Sequence, residues 1–188
     1  MNRTLLATPL LLLTLAAAGP PPQAPAPPPP EQAARAAPRT GVWPLGPPRP
    51  RVLRAWQPPA TPYGPGHRGI DLAAPPGTPV RAAAGGRITF SGPVGGRGTL
   101  AVTLPAPPGT TPLRTTYEPV RSLLPEGTAV TTGQVIATTT ADPASHCAAT
   151  CLHWGLRRGD TYLDPLALLP PGLLRRPPSR LLPLAADP

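Results

Sequence analysis

Proline sets the limits of what this chain can fold into. Of 188 residues, 36 are proline, several times the roughly 5% of average usage. Each one removes a backbone donor and fixes φ, so helix interiors and central strands reject it. The excess crowds toward the ends, at Pro20–Pro22, Pro27–Pro30, Pro170–Pro171 and Pro177–Pro178. The expectation is one compact domain, well short of the full length, between extended flanks.

Every basic side chain is arginine and none is lysine, which together with abundant Ala, Gly and Pro reads as the background bias of a GC-rich genome. The net charge of +9 suits an acidic polymer: nucleic acid, an anionic membrane surface or an anionic cell wall. The N-terminus chooses among them. Arg3 precedes an apolar run from Leu5 to Ala18 that is too short for a relaxed membrane span, and the small residues Ala16-Ala17-Ala18 suit signal peptidase. Residues 1–18 therefore read as a secretory signal peptide, the alternative being an uncleaved anchor that is the chain's one membrane contact. A cysteine for a lipid anchor is absent from that site. Either way the domain is outside the cytoplasm, which argues against nucleic acid.

Residues 19–40 are a Pro/Ala-rich linker with too few large apolar side chains to fold, a stiff and disordered spacer. The folded part is expected over 41–169, beginning with Trp43 and Trp56 as packing residues at the edge of the domain. A basic, proline-broken tail follows over 170–188, with Arg175 and Arg176 as candidate wall contacts.

Between His67 and Leu169, short apolar runs alternate with Gly and Pro. Thr78–Ala82, Arg87–Ser91, Leu100–Leu104, Leu113–Tyr117, Gln134–Thr138 and Cys151–Leu156 each read as a strand. Ile88 and Phe90 oppose Arg87, Thr89 and Ser91; Leu100, Val102 and Leu104 oppose Ala101 and Thr103. With no capped helical period, the fold class is all-β: a small antiparallel sheet or sandwich with tight turns at Pro76-Gly77, Gly85-Gly86 and Gly95-Gly96.

The chemistry lies in Gly66-His67-Arg68-Gly69-Ile70-Asp71 and Cys151-Leu152-His153-Trp154-Gly155. Two of the chain's three histidines fall there. His67, Asp71 and His153 are donors of the kind a catalytic zinc takes while keeping one position open. In a strand, Leu152, Trp154 and Leu156 point into the core, and Cys151, His153 and Gly155 point the other way. His67 and Asp71, four apart and extended, share a face, with Gly69 leaving room between them.

The context around these residues is Gly-His-x-Gly-Ile-Asp-Leu-Ala-Ala, then Pro-Gly-Thr-Pro-Val, Val130-Thr-Thr-Gly-Gln-Val-Ile136, Leu-His-Trp-Gly and Asp164-Pro165. Over residues 66–166 it resembles the lysostaphin-type, or LytM-like, zinc metallopeptidases, which cut peptide cross-bridges and stems of bacterial peptidoglycan. The resemblance implies a small antiparallel sheet with a groove over it, one Zn2+ ion, and His67, Asp71 and His153 as its ligands. Two further histidines of that family, which handle protons or stabilise the oxyanion, correspond here to Pro119 and Cys151. The chain is thus a divergent member. Glu118 adjoins one lost position as a candidate substitute base, although in a strand its side chain faces the opposite side from Pro119, and His146 lies outside the motif.

Cys147 and Cys151 are most simply a disulfide in an oxidising compartment. The competing reading makes Cys151 a fourth zinc ligand and the site structural. Three functions are in play. The first is an exported zinc endopeptidase acting on peptidoglycan peptides. The second is a degenerate module that keeps the fold and binds wall peptides or regulates a partner hydrolase. The third, a structural wall protein, leaves three ligands in register unexplained.

Overall fold

The computed structural model describes residues 39–61, 64–141, 147 and 150–175. The expected signal peptide, the linker up to residue 38, His146 and the tail from residue 176 lie outside them. The described chain runs β1 (Val52–Arg54), β2 (Gly69–Ala73), β3 (Pro79–Arg81), β4 (Gly86–Val94), β5 (Arg97–Thr103) and β6 (Leu113–Glu118). It continues through β7 (Val120–Ser122), β8 (Ala129–Val130), β9 (Val135–Thr139), β10 (Cys151–Arg158) and β11 (Thr161–Leu163). A 3-10 turn at Pro165–Leu168 and one helical turn at Pro171–Leu174 complete it. The fold is all-β and antiparallel, as expected.

The larger sheet has the order β1-β2-β10-β6-β5-β4-β8, with β11 also on β10; the smaller is β3-β9-β7. All six expected strands are present. The remaining five escaped for a physical reason. Four have only two or three residues, too few to alternate. β2 is buried at four of its five positions, and its second face offers only Gly69, Asp71 and Ala73, too little polarity to reveal a period of two.

The β4–β5 hairpin closes through Gly95-Gly96, both at positive φ (57° and 84°), which is the glycine pair a two-residue turn of this hand requires. Gly85-Gly86 is not a hairpin turn. Gly86 already pairs with Val130 as the first residue of β4, and the glycine is needed because a β-carbon would meet the Thr103 carbonyl. The alternation expected in β4 also breaks. A bulge falls between Ile88, opposite Val102, and Phe90, opposite Ala101. Such an extra residue shifts the side-chain phase. Ile88 stays fully buried in the core, while Phe90 lines a groove on the other face.

The core lies under the larger sheet and joins Ile70, Leu72, Ile88, Leu100, Val102, Leu152, Trp154 and Leu156 to Ile136 and Val80 of the smaller one. Leu152, Trp154 and Leu156 point inward as the period of β10 required. Trp43 packs at 6.2 Å from Trp154 and donates to the Leu173 carbonyl at 3.2 Å, and the half-buried Trp56 packs against the same core, so both early tryptophan segments serve packing. Below the sheet runs a buried polar chain: Trp154 Nε1 donates to Thr115 Oγ1 at 2.8 Å, and that hydroxyl donates to the Gly155 carbonyl at 3.0 Å. Tyr117 accepts the Ala83 N–H at 2.9 Å. Fully buried polar groups persist because they are paired in this way.

Burial pushes the Tyr117 phenol up to about 12, against weaker lowering by Thr115 and the Ala83 N–H. A phenol whose folded value exceeds its unfolded one supports stability that is present below pH ~10 and lost as pH rises through about 12. Tyr117→Phe should cost about 1–3 kcal/mol at neutral pH by stranding the Ala83 donor. It should also flatten the alkaline loss of stability. Urea unfolding followed between pH 9 and about pH 12 tests both, in a chain whose alkaline titration is not crowded by lysines.

Candidate metal centre

The register of one strand pair builds the site. β2 and β10 pair antiparallel with His153 opposite Asp71, Trp154 opposite Ile70 and Gly155 opposite Gly69. Directly opposed residues share a face, so the pairing that sends Ile70 and Trp154 into the core brings Asp71 and His153 together on the other side. His67 stands just before β2, held in place by paired hydrogen bonds with Gln57: His67 N–H to the Gln57 carbonyl at 2.8 Å and Gln57 N–H to the His67 carbonyl at 3.0 Å. The segment carrying Trp56 and β1 thus fixes the first histidine.

The three side chains converge. Asp71 Oδ1 lies 2.8 Å from His153 Nδ1 and 3.1 Å from His67 Nε2, and the two ring nitrogens are 3.1 Å apart. Asp71 is 1% exposed and His67 4%; His153 opens onto the groove. His67 Nδ1 is 2.8 Å from the Ala55 carbonyl, which can only accept, so Nδ1 carries the proton and the neutral ring turns the Nε2 lone pair inward. Desolvation holds this imidazole below its usual value, outweighing the raising effects of the Ala55 carbonyl and Asp71.

A lone pair, a carboxylate oxygen and a second imidazole nitrogen therefore meet at one point. A divalent cation would satisfy all three. Tetrahedral zinc at about 2.0–2.1 Å sets its ligand atoms roughly 3.3 Å apart, close to the spacing seen. The Ala55 carbonyl is the outer partner that orients a ligating histidine. The donor set fits zinc.

Gly69 makes room for a side chain rather than for an ion. A β-carbon there would stand 2.6 Å from His153 Nε2 and 2.5 Å from the Trp154 carbonyl. Cys147 and Cys151 are joined as a disulfide. Both sulfurs lie near an Asp71 oxygen, but bonded to each other neither is a thiolate, so Cys151 supplies no fourth ligand. Pro119 is buried beyond the end of β6.

Sequence reasoning named Glu118 as a candidate substitute base, with its side chain on the opposite side from Pro119, but could not place it against His153. It sits directly across from His153, lines the same groove, and its Oε2 accepts from Thr99 Oγ1 at 3.2 Å. The alternation of Leu113, Thr115 and Tyr117 with Arg114, Thr116 and Glu118 was legible in the sequence. Only the register could say which strand that polar face would border.

The sequence profile of peptidase family M23 matches residues 65–165. Uncharacterized proteins of Mycobacterium tuberculosis and Mycobacterium bovis are 42% identical over 149 residues, covering 77% of this chain and 55% of theirs. The chain thus spans about half the length of these relatives. Among solved structures, the catalytic domain of lysostaphin from Staphylococcus simulans aligns with a TM-score of 0.52 and 22% identity, over 67% of this chain and 93% of that one. A zinc-containing peptidase from Vibrio cholerae aligns with 0.54 and 21%, over 68% and 40%. A chain of the SpoIIQ-SpoIIIAH pore-forming complex aligns with 0.55 and 18%, over 70% and 91%. At these identities the structural matches show a shared fold.

Gly69→Ala should displace the His153 ring, because neither the Trp154 carbonyl nor the strand can yield. Affinity for zinc should fall at least about tenfold, the scale of a misplaced ligand, with the far-UV spectrum and disulfide unchanged. Competition against a chromogenic chelator provides the measurement.

Proposed function

The chain belongs to peptidase family M23, the lysostaphin-type group its motifs resemble, and from that premise we propose an exported, zinc-dependent peptidase-like domain that works on the peptides of bacterial peptidoglycan. The observation that carries this reading is the set of ligand atoms from His67, Asp71 and His153, all within 4.8 Å of one another. Zinc bound there would polarise a peptide carbonyl and lower the pKa of a bound water. His67 and Asp71 are buried, and His67 is held by its backbone pairing with Gln57. His153 reaches the same point from the groove side.

Proton handling falls to Glu118. Both positions where the family places auxiliary histidines are occupied by groups that move no proton, Pro119 and the disulfide-bonded Cys151. Glu118 is the carboxylate across from His153 on the groove floor, oriented by the Thr99 hydroxyl. Losing a positioned acid, base or oxyanion donor typically costs about 10²–10⁴ in rate. One carboxylate in place of two histidines therefore makes a slow hydrolase.

Export is supported by the short apolar run after Arg3 and by the disulfide, which persists in oxidising compartments. Among the described residues no helix is long and apolar enough to cross a membrane. The missing histidines favour a second reading, a module that binds wall peptides or a partner hydrolase without cutting.

One experiment separates the two. The purified chain should carry about one zinc per molecule and release soluble peptides from peptidoglycan. His153→Ala should lose both metal and release, and Glu118→Gln should keep the metal while release falls roughly 10²-fold or more. Bound zinc with no release from the wild type would leave the binding module standing.

A further inference from the structure

The groove that begins at His153 has a volume of about 510 Å³ and is lined by four arginines, Arg68, Arg97, Arg114 and Arg157, against one carboxylate, Glu118. The strand register orders these charges. Glu118 faces His153 at the metal end, Thr116 faces Gly155 in the middle, and Arg114 faces Arg157 at the far end. The floor is thus acidic beside the metal centre, small and uncharged across the centre, and doubly cationic beyond.

Two like charges directly opposed across an antiparallel pair destabilise the sheet. Here the pair is only half relieved. Arg157 donates to the Gly159 carbonyl at 2.7 Å and to Asp160 at 3.0 Å, but Asp160 is fully exposed, where an ion pair contributes little. Arg114 has no ion pair among the described residues, and its Nε is buried with no hydrogen-bond partner. A buried guanidinium donor left this way costs free energy until something accepts from it. Nearby, Arg68 and Arg157 lie 5.7 Å and 5.8 Å from the Tyr162 ring, which restrains both guanidinium groups.

We propose that Arg114 and Arg157 form a recognition site for a carboxylate on the peptide ligand, three to four residues along from the bond held over His67, Asp71 and His153. The proposal rests on the reading of the groove as a peptide site and names its ligand class: an extended peptide with an acidic residue on one side of the target bond. His153 and Arg157 are four positions apart on β10, roughly 13 Å at strand rise, the span of about four residues of extended ligand. Between them the groove is lined by the small Thr116, whose hydroxyl covers the buried Gly155. The planar guanidinium fork matches a carboxylate in two parallel hydrogen bonds. A uniform polyanion fits worse, because the charge along the floor changes sign and Glu118 would meet its next phosphate.

The test is equilibrium binding of the full chain to two capped hexapeptides that differ in one residue, glutamate or glutamine, with and without a chelator. The glutamate peptide should bind about 10- to 100-fold tighter, the scale of a charge-assisted hydrogen bond, and chelation should leave that ratio standing. Arg114→Gln and, separately, Arg157→Gln should collapse the ratio, chiefly by weakening the glutamate peptide, while the far-UV spectrum and zinc binding report that each variant is folded. Equal binding of the two peptides, or no binding of either, overturns the proposal. So does a ratio that vanishes on chelation, which would put the carboxylate on the metal, or tighter binding of oligothymidylate than of the glutamate peptide. Because the ratio itself requires neither cleavage nor zinc, a chain that never cuts still answers the question.

Discussion

The antiparallel pairing of β2 with β10 is the constraint on which the rest of the molecule depends. One register sets Ile70 and Trp154 into the core and, by the same alternation, sets Asp71 against His153 on the opposite face. A slip by one residue would exchange the two faces, burying the polar side chains and exposing a tryptophan. The core therefore enforces the site's geometry. The Trp154–Thr115–Gly155 hydrogen bonds pin β10 to β6 in the same register, and that second pairing delivers Glu118 to His153 and Arg114 to Arg157.

Close approach is the second requirement. Gly69 and Gly155 are opposite each other, and a β-carbon at either would collide, with His153 at Gly69 and with Thr116 Oγ1 at Gly155. The two glycines that made the motifs recognisable are needed to let rings and strands come together. The Ala55 carbonyl adds what no side-chain pattern encodes: a fixed tautomer for His67, supplied by a backbone atom twelve residues upstream. The disulfide lies beside Asp71 and removes both thiols from the chemistry of the site.

Seen together, the polar face of the sheet is a gradient. Ligating groups stand at one end, a carboxylate opposite the last of them, and guanidinium groups farther along. Such an order suits a ligand held by its backbone in the middle and by a charge at one end, so that binding energy gathered away from the reacting bond helps to position it. Under the proposed peptidase function, the absence of the family's auxiliary histidines would shift weight from proton transfer toward positioning.

Much of this was legible in the residues. The period of two marked six strands, and the family resemblance of the motifs around His67, Asp71 and His153 singled out the candidate donors. β2 hid because it is buried on both faces, and β1, β7, β8 and β11 because they are too short to show a period. The bulge at Ile88–Phe90 inverted one side chain, since register shifts arise from pairing and leave no local signature. By itself the sequence determined which residues could ligate, which faces were apolar, and which family histidines were gone. Only the tertiary structure decided that Cys151 is tied to Cys147, that Glu118 borders His153 and that Arg114 opposes Arg157. Those are relations between strands distant along the chain, set by register and packing, and no local pattern carries them.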